Sequence, residues 1–363
     1  MEKIRIAFVI SSLEIGGAER VFLNLVQALD DKKYIKKVFI LKKNYNTPFD
    51  LELQKSGIDY VYINKKTRLF FDLFAHRRLF KELCQFSPHI IHSHLKVTNY
   101  LIKYKLYNKK TKWIHTHHTD VSSEIYLFRK LIIKYLYAKH LILPICVSKA
   151  VKESFLETFK LTNIDIKVIY NGINIDEFYY SRKEMNNDRL IITHVGRFAK
   201  VKNHRYLIKE FAKFFRTHQM THLNLIGEGK EREKIQKLVN SYGLQNVVTF
   251  YNSNVDVFQI LKKSDIFVLS SFYEGNSLSI LEAMASGCVV LASDVGGNGE
   301  IIENGVNGYL FKLRPNRLFE KLVYLNNRRA LIFSLSQNNN YKVQEYSINK
   351  MKLAYEEVYI DYE

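Results

Sequence analysis

The stretch from Phe272 to Gly297, FYEGNSLSILEAMASGCVVLASDVGG, decides the fold. It carries two carboxylates, Glu274 and Glu282, separated by seven residues. Just before it, Ile266 to Ser270 (IFVLS) is a short apolar run of strand type, and Ser279 to Ser286 has the apolar spacing of a buried helix. The segment between them is therefore a helix N-terminus. Backbone N–H groups there have no partner inside the helix and the macrodipole is positive, so an anion such as a diphosphate is the natural guest. Glu282, about two turns along, has acceptor oxygens that could hold a ribose diol. Taken singly, Glu274 reads as a helix cap and Glu282 as a surface residue.

Outward from this stretch, short apolar strands alternate with helical patterns in two series. The first comprises Ile4 to Ile10, Lys37 to Leu41, Tyr60 to Ile63, His89 to His92, Lys112 to His115, Leu141 to Val147 and Ile166 to Tyr170. The second, after the polar stretch Ser181 to Arg189, comprises Leu190 to Val195, His222 to Ile226, Val247 to Tyr251, Ile266 to Leu269, Val289 to Ala292 and Tyr309 to Phe311. Strands separated by helices are the signature of a parallel sheet covered on both faces. Two doubly wound domains follow, with a linker near Gly172 to Arg189, and 363 residues suit two domains of common size. A last helix spans Tyr341 to Tyr359.

Open α/β sheets place ligands at the carboxyl ends of their strands, and three more constellations fall there. In SSLEIGGAERV, Gly16 and Gly17 lie in the turn after the first strand and Ala18 begins a helix. Paired glycines let backbone approach a phosphate, although the string is neither the dinucleotide fingerprint nor a P-loop, and taken alone it is better explained by an ordinary tight turn. In HVGRFAKVKNHRYLI, Arg197 and Lys202 leave a strand end together, where two fixed cations neutralise a leaving diphosphate; Lys200 competes for the second place. In LNLIGEGKEREKI, Gly227 and Gly229 either open space for a nucleotide base or serve a turn that needs glycine dihedrals.

The Phe272 to Gly297 string, taken with these loops, resembles the signature of family 4 glycosyltransferases, retaining enzymes of the GT-B fold. The resemblance implies an α/β GT-B architecture, two doubly wound Rossmann-like domains facing across a cleft. Residues 1–175 would form the acceptor-side domain, with a C-terminal helix, 341–363, packing back on it, and 176–340 the donor-binding domain. It implies transfer of a hexosyl or N-acetylhexosaminyl group, with retention and without a metal or other cofactor, from a nucleotide-diphosphate sugar, UDP being the commoner base. Arg197 and Lys202 then act on the donor phosphates, Glu274 orients sugar hydroxyls, and Glu282 anchors the ribose. Gly275, Asn276, Ser277 and Leu278 supply the helix N-terminus, Gly16 and Gly17 lie beside diphosphate and acceptor, and Gly227 lies near the base. In KWIHTHHTD the resemblance puts His117 against the transferred sugar, or His118 if the register shifts by one. One departure is Gly299, which stands in SDVGGNGEII where the family usually has proline. His92, His94, His115, His117 and His118 cluster at two strand ends but lack the common zinc spacings, and no internal Asp-x-Asp offers a diphosphate-bridging cation a seat.

The formal net charge of +19 calls for an acidic partner or surface. It is placed as well as large: Lys65 to Leu83 alternates Phe and Leu with Arg and Lys, and Tyr126 to Lys139 has four basic residues and no acid. Basic amphipathic helices suit an anionic membrane surface, at about 1 kcal/mol per Lys or Arg near lipid, whereas ordinary core-packed helices with solvated basic faces read the same. Nucleic acid is not expected, since nothing in the chain would aim the charge at bases. No apolar run reaches a membrane span, the start does not read as a signal peptide, and three widely spaced cysteines suit a reducing compartment. The expectation is a cytoplasmic enzyme, peripheral at the inner membrane face, with a glycan or lipid-linked acceptor in surface-polysaccharide assembly such as capsule or lipopolysaccharide. The alternatives are another GT-B sugar enzyme, an epimerase or phosphorylase, or a non-catalytic basic adaptor for membranes or acidic polymers.

Overall fold

Every apolar run becomes a strand of one of two all-parallel sheets. The computed structural model of the chain describes residues 2–66, 71–124, 130–181 and 189–360. The first sheet holds β1 (Ile4–Ile10), β2 (Tyr34–Ile40), β3 (Asp59–Tyr62), β4 (Ile90–His94), β5 (Lys112–His117), β6 (Leu143–Cys146) and β7 (Lys167–Val168), in the order β3-β2-β1-β4-β5-β6-β7. The second holds β8 (Leu190–Val195), β9 (Thr221–Ile226), β10 (Val248–Tyr251), β11 (Ile266–Leu269), β12 (Val289–Ser293) and β13 (Gly308–Phe311), in the order β10-β9-β8-β11-β12-β13. In each, the chain winds outward in one direction and then returns to wind in the other. The reversal falls between β1 and β4 in the first sheet and between β8 and β11 in the second, which is where such sheets take ligands.

The chain divides into two compact units, one running to Gly172 and resuming at Ile348, the other spanning Ile173–Ser347. In the first unit, Ile91, Trp113 and Cys146 point into a core filled from the helices Leu73–Phe86, Thr98–Tyr107, Lys130–Ala138 and Lys149–Phe159. Alternation along the strands sends His92 and Thr116 to the opposite face, where the helix Ile348–Ile360 lies beside the helix Gly17–Ala28. The contact there is polar and buried: His92 Nδ1 is 2.7 Å from the Tyr359 hydroxyl, His92 Nε2 is 2.8 Å from Thr116 Oγ1, and Thr116 Oγ1 is 3.1 Å from the Tyr355 hydroxyl. In the second unit, strands β8, β9, β11 and β12 share a core with the helices His204–Thr217 and Arg317–Asn326.

Three expected helices have different bounds. The single helix over Tyr341 to Tyr359 is two: Arg329–Lys342 ends in a 3-10 turn, Val343–Tyr346, and Ile348–Ile360 follows. The break comes from Ser347, extended at φ −73°, ψ 150°, which bridges Ile173, while the Ile173 N–H donates to the Tyr346 carbonyl. The basic helix expected from Lys65 starts at Leu73, where the Asp72 carboxylate accepts from the Ala75 N–H and caps it; residues 67–70 lie outside the described residues. The one expected from Tyr126 is described over Lys130–Ala138, and 125–129 lie outside, as do 182–188 of the linker.

Because Tyr359 is 1% exposed, Tyr359→Ala should destabilise the first unit by about 3 to 5 kcal/mol. Tyr359→Phe leaves His92 Nδ1 without its partner and should cost about 1 to 3 kcal/mol. Urea unfolding followed by circular dichroism measures both, and a Tyr359→Phe midpoint equal to the parent's would remove the hydroxyl from the account.

Candidate active site

At the reversal of the second sheet, the loops after β8 and β11 meet. Lys202 Nζ donates to Glu274 Oε1 at 2.6 Å, with side chains only 20% and 10% exposed, so the pair is screened little by solvent. Backbone contacts hold both partners. Ser270 Oγ, at the end of β11, lies 3.2 Å from the carbonyl oxygens of Lys202 and Asn203, and the Phe272 N–H donates to the Val201 carbonyl at 2.8 Å. Gly296 has φ +50°, and a Cβ there would collide with the Glu274 carbonyl oxygen, to which the Gly297 N–H donates at 3.0 Å. The Gly-Gly turn thus clamps the backbone of Glu274 from below.

Gly227 and Gly229 work the same way on the other loop. Both have positive φ, +143° and +146°, and a Cβ would strike the carbonyl oxygens of Gly196 and Phe198 respectively. Their role in this structure is to let the loop after β9 press against the loop that carries Arg197. Arg197 itself is exposed and makes no ion pair among the described residues, and Lys200 is exposed on the 3-10 turn Lys200–Lys202. The glutamate helix runs Leu278–Ala285, one residue earlier than its spacing suggested, with Gly275, Asn276, Ser277 and Leu278 buried. Ser277 at its N-cap makes no side-chain cap, so the first N–H groups are left for another acceptor. Glu282 is the fifth residue of that helix and half-buried.

In the first unit, Gly17 is the first residue of its helix, one position ahead of the expected Ala18, and Gly16 is the N-cap with φ −169°. Extended backbone of that kind suits any residue, so no turn demands these glycines. His117 ends β5 with its ring on the core side, edge-on to Phe155, and Nε2 lies 2.9 Å from the Tyr137 hydroxyl. His118 is turned to the other face, where Nε2 lies 2.9 Å from His94 Nδ1. One of those nitrogens donates and the other accepts; the outer nitrogens, His94 Nε2 and His118 Nδ1, are buried with no partner. Among the described residues no group of three or more His, Cys, Asp or Glu side chains is placed to hold a metal ion, and no helix is long and apolar enough to cross a membrane. Sequence reasoning passed over His194, His204 and Ser270. The first two were visible as the histidines that bracket the Arg197 loop.

The description Glycosyl transferases group 1 matches residues 177–346, and Glycosyltransferase Family 4 matches residues 15–177. An uncharacterized glycosyltransferase of Methanocaldococcus jannaschii is 31% identical over 272 residues, 67% of this chain and 68% of that protein. The chain belongs to glycosyltransferase family 4. The 4-alpha-N-acetylgalactosaminyltransferase of Campylobacter jejuni that acts on an N-acetylgalactosamine-N,N'-diacetylbacillosaminyl-diphospho-undecaprenol is 25% identical over 96% of this chain and 97% of its own. Another M. jannaschii relative aligns over 48% of its length. Anabaena HepE, crystallised in complex with UDP, superposes with a TM-score of 0.81 over 99% of this chain and 100% of that one, at 19% identity. The fold is GT-B.

Six buried histidines of the glycosyltransferase are held neutral, His94 and His115 among them, pushed well below the ordinary value by burial and neighbouring imidazoles. Burial, and then the neighbouring imidazoles, push His92 and His118 down to about 3. Burial pushes His194 to about 4, the Val268 carbonyl opposing and Lys202 adding to the shift, and His204 to about 2, with His194 and Lys202 adding to it. An unfolded chain protonates these rings near pH 6.5. Below that value the unfolded state binds protons that the folded state refuses, so stability is whole above pH 6.5 and is lost as pH falls toward the folded values. The expected slope is about 1.4 kcal/mol per pH unit for each ring fully protonated only when unfolded. Urea midpoints measured from pH 7.5 to 5 should fall steadily, and His204→Phe should shallow the decline; a flat profile would mean that these rings accept protons in the fold.

Proposed function

We propose that the chain is a retaining glycosyltransferase that moves a hexosyl or N-acetylhexosaminyl group from a UDP-sugar to a glycan or lipid-linked acceptor in surface-polysaccharide assembly. The observation that carries this reading is the Lys202–Glu274 contact beside an uncapped helix N-terminus at the point where the second sheet reverses. Scission of the donor builds positive charge at the anomeric carbon and negative charge on the diphosphate. Lys202, Arg197 and the N–H groups of the helix Leu278–Ala285 are the groups for the second, and removing one such donor typically costs about 10² to 10³ in rate. Glu274, once relieved of Lys202, orients sugar hydroxyls, and Glu282 anchors the ribose. The acceptor oxygen bonds to the anomeric carbon on the face that the phosphate oxygen leaves, and the acceptor proton passes to that phosphate. On this reading no metal takes part.

A histidine at the end of β5 meets the sugar. His117 has committed Nε2 to Tyr137, whereas His118 Nδ1 is buried with no partner. His117→Ala and His118→Ala, assayed side by side, identify the one that turnover needs.

Membrane attachment is read from the first unit. Leu73 and Phe74, at 60% and 82% exposure, sit beside exposed Arg77, Arg78 and Lys81 on one helix. Leu131, Ile132 and Tyr135 are exposed on the helix that carries Lys130 and Lys134, and both helices feed the same core face. Apolar side chains among basic ones fit an anionic lipid surface.

Arg197→Ala and Lys202→Ala should each weaken UDP binding and cut turnover while melting as the parent does; parental rates in both would defeat the donor-site assignment. Glu282→Ala should mainly reduce nucleotide affinity and Glu274→Ala mainly turnover at saturation. For attachment, the variant Phe74→Ser, Leu131→Ser, Lys130→Glu, Lys134→Glu should lose cosedimentation with phosphatidylglycerol vesicles and keep its activity on a soluble acceptor. Undiminished cosedimentation would leave those helices as solvated surface.

A further inference from the structure

The loop leaving β8 closes around a missing side chain. A Cβ on Gly196 would lie 3.1 Å from His194 Nε2 and 3.5 and 3.6 Å from Cδ and Cε of Lys202. The glycine is thus the gap at which those two side chains converge.

The state of His194 follows from its other nitrogen. Nδ1 lies 2.8 Å from the Val268 carbonyl oxygen, which can only accept, so Nδ1 carries the hydrogen. The ring is fully buried and neutral, which leaves Nε2 as a bare lone pair. That lone pair is buried and has no partner. Native proteins rarely leave such an acceptor idle, because its lost hydration is not repaid. His204 stands edge-on to His194 with centroids 4.5 Å apart and stacks on Phe198 at 4.2 Å, closing the far side. The charged or titratable groups around His194 are therefore His204, Lys202 and, through Lys202, Glu274.

Lys202 has three ammonium hydrogens, and Glu274 takes one of them at 2.6 Å. We propose that His194 is a positioning residue for the donor diphosphate: its bare Nε2 is a second seat for the Lys202 ammonium, occupied when a nucleotide sugar claims Glu274. The inference rests on the functional reading above and adds to it a two-position lysine. A neutral imidazole holds an ammonium by a hydrogen bond without cancelling its charge, as a carboxylate does. Paired with each other, Lys202 and Glu274 neutralise their charges; with a donor bound, Glu274 is released to sugar hydroxyls and Lys202 keeps its full charge for the diphosphate. The glycine at position 196 is what leaves the path between the seats open.

Two substitutions separate the two ends of the imidazole. His194→Asn keeps a donor for the Val268 carbonyl and removes the acceptor at the place of Nε2. His194→Gln reaches that place with an amide oxygen and gives up the Val268 bond. In isothermal titration with UDP, the Asn variant should bind roughly tenfold more weakly, as expected for loss of one hydrogen bond to a charged group, and the Gln variant within about twofold of the parent. In a Lys202→Met background, His194→Asn should change UDP affinity no further, since the group it serves is gone. If the Asn variant binds as the parent does while the Gln variant is impaired, His194 is only an anchor for β11 and the proposal falls. It falls equally if the losses from His194→Asn and Lys202→Met add. A parent protein that binds neither UDP nor a UDP-sugar overturns the donor reading itself, a different result from intact binding that ignores His194.

Discussion

The 2.6 Å contact between Lys202 and Glu274 is the constraint around which the second unit is arranged. An ammonium and a carboxylate this little exposed must be placed by their backbones, because long side chains left to themselves gain little from pairing. Each backbone is accordingly fixed by groups distant in sequence: Ser270 and Phe272 for the lysine turn, Gly296 and Gly297 for the glutamate loop. Gly227 and Gly229 complete the frame by letting a third loop press on the first. Glycines that look like turn punctuation in the sequence are here the places where one backbone must touch another.

The strands were legible because parallel sheets buried on both faces require apolar runs, and inner strands such as β1, β11 and β12 obey that rule, while β3 and β7, at the edges of the first sheet, are only half-buried. The approach of Lys202 to Glu274 was legible only as two motifs, since nothing local says that residues 72 apart in sequence will share a hydrogen bond. Other features were hidden for a like reason. Tyr341 to Tyr359 reads as one helical pattern, and what breaks it is the pairing of Ser347 with Ile173. At the end of β5 a step of one residue changes the face of the sheet, so that His117 meets Tyr137 while His118 meets His94. The polar run His115 to Asp120 at the strand end gives no sign of which way its pleat falls.

Both sheets bury histidines near the strand ends where they reverse, His92 and His94 in one and His194 in the other. Neutral imidazole suits such positions because it offers one donor and one acceptor to a site where a charge would be costly. In the first unit both nitrogens of His92 are used, by Tyr359 and Thr116, and the ring serves as structural polar mortar. In the second unit His194 spends only one, as His94 does in the first, but its idle nitrogen faces a lysine.

The bond between His92 and Tyr359 joins residues 267 positions apart, and the whole second unit lies between them in the chain. During synthesis, at about 5 to 20 residues per second, the aromatic partner of His92 reaches the polypeptide roughly 10 to 50 s after the histidine does. The uninterrupted unit, Ile173–Ser347, has all of its strands available before then, whereas the face of the first sheet that carries His92 and Thr116 has the helix Gly17–Ala28 but waits for Ile348–Ile360. The two units are therefore completed in the reverse of the order in which they are begun. The half begun first is the half finished last, and in that interval its open face is where chaperones have the most to shield.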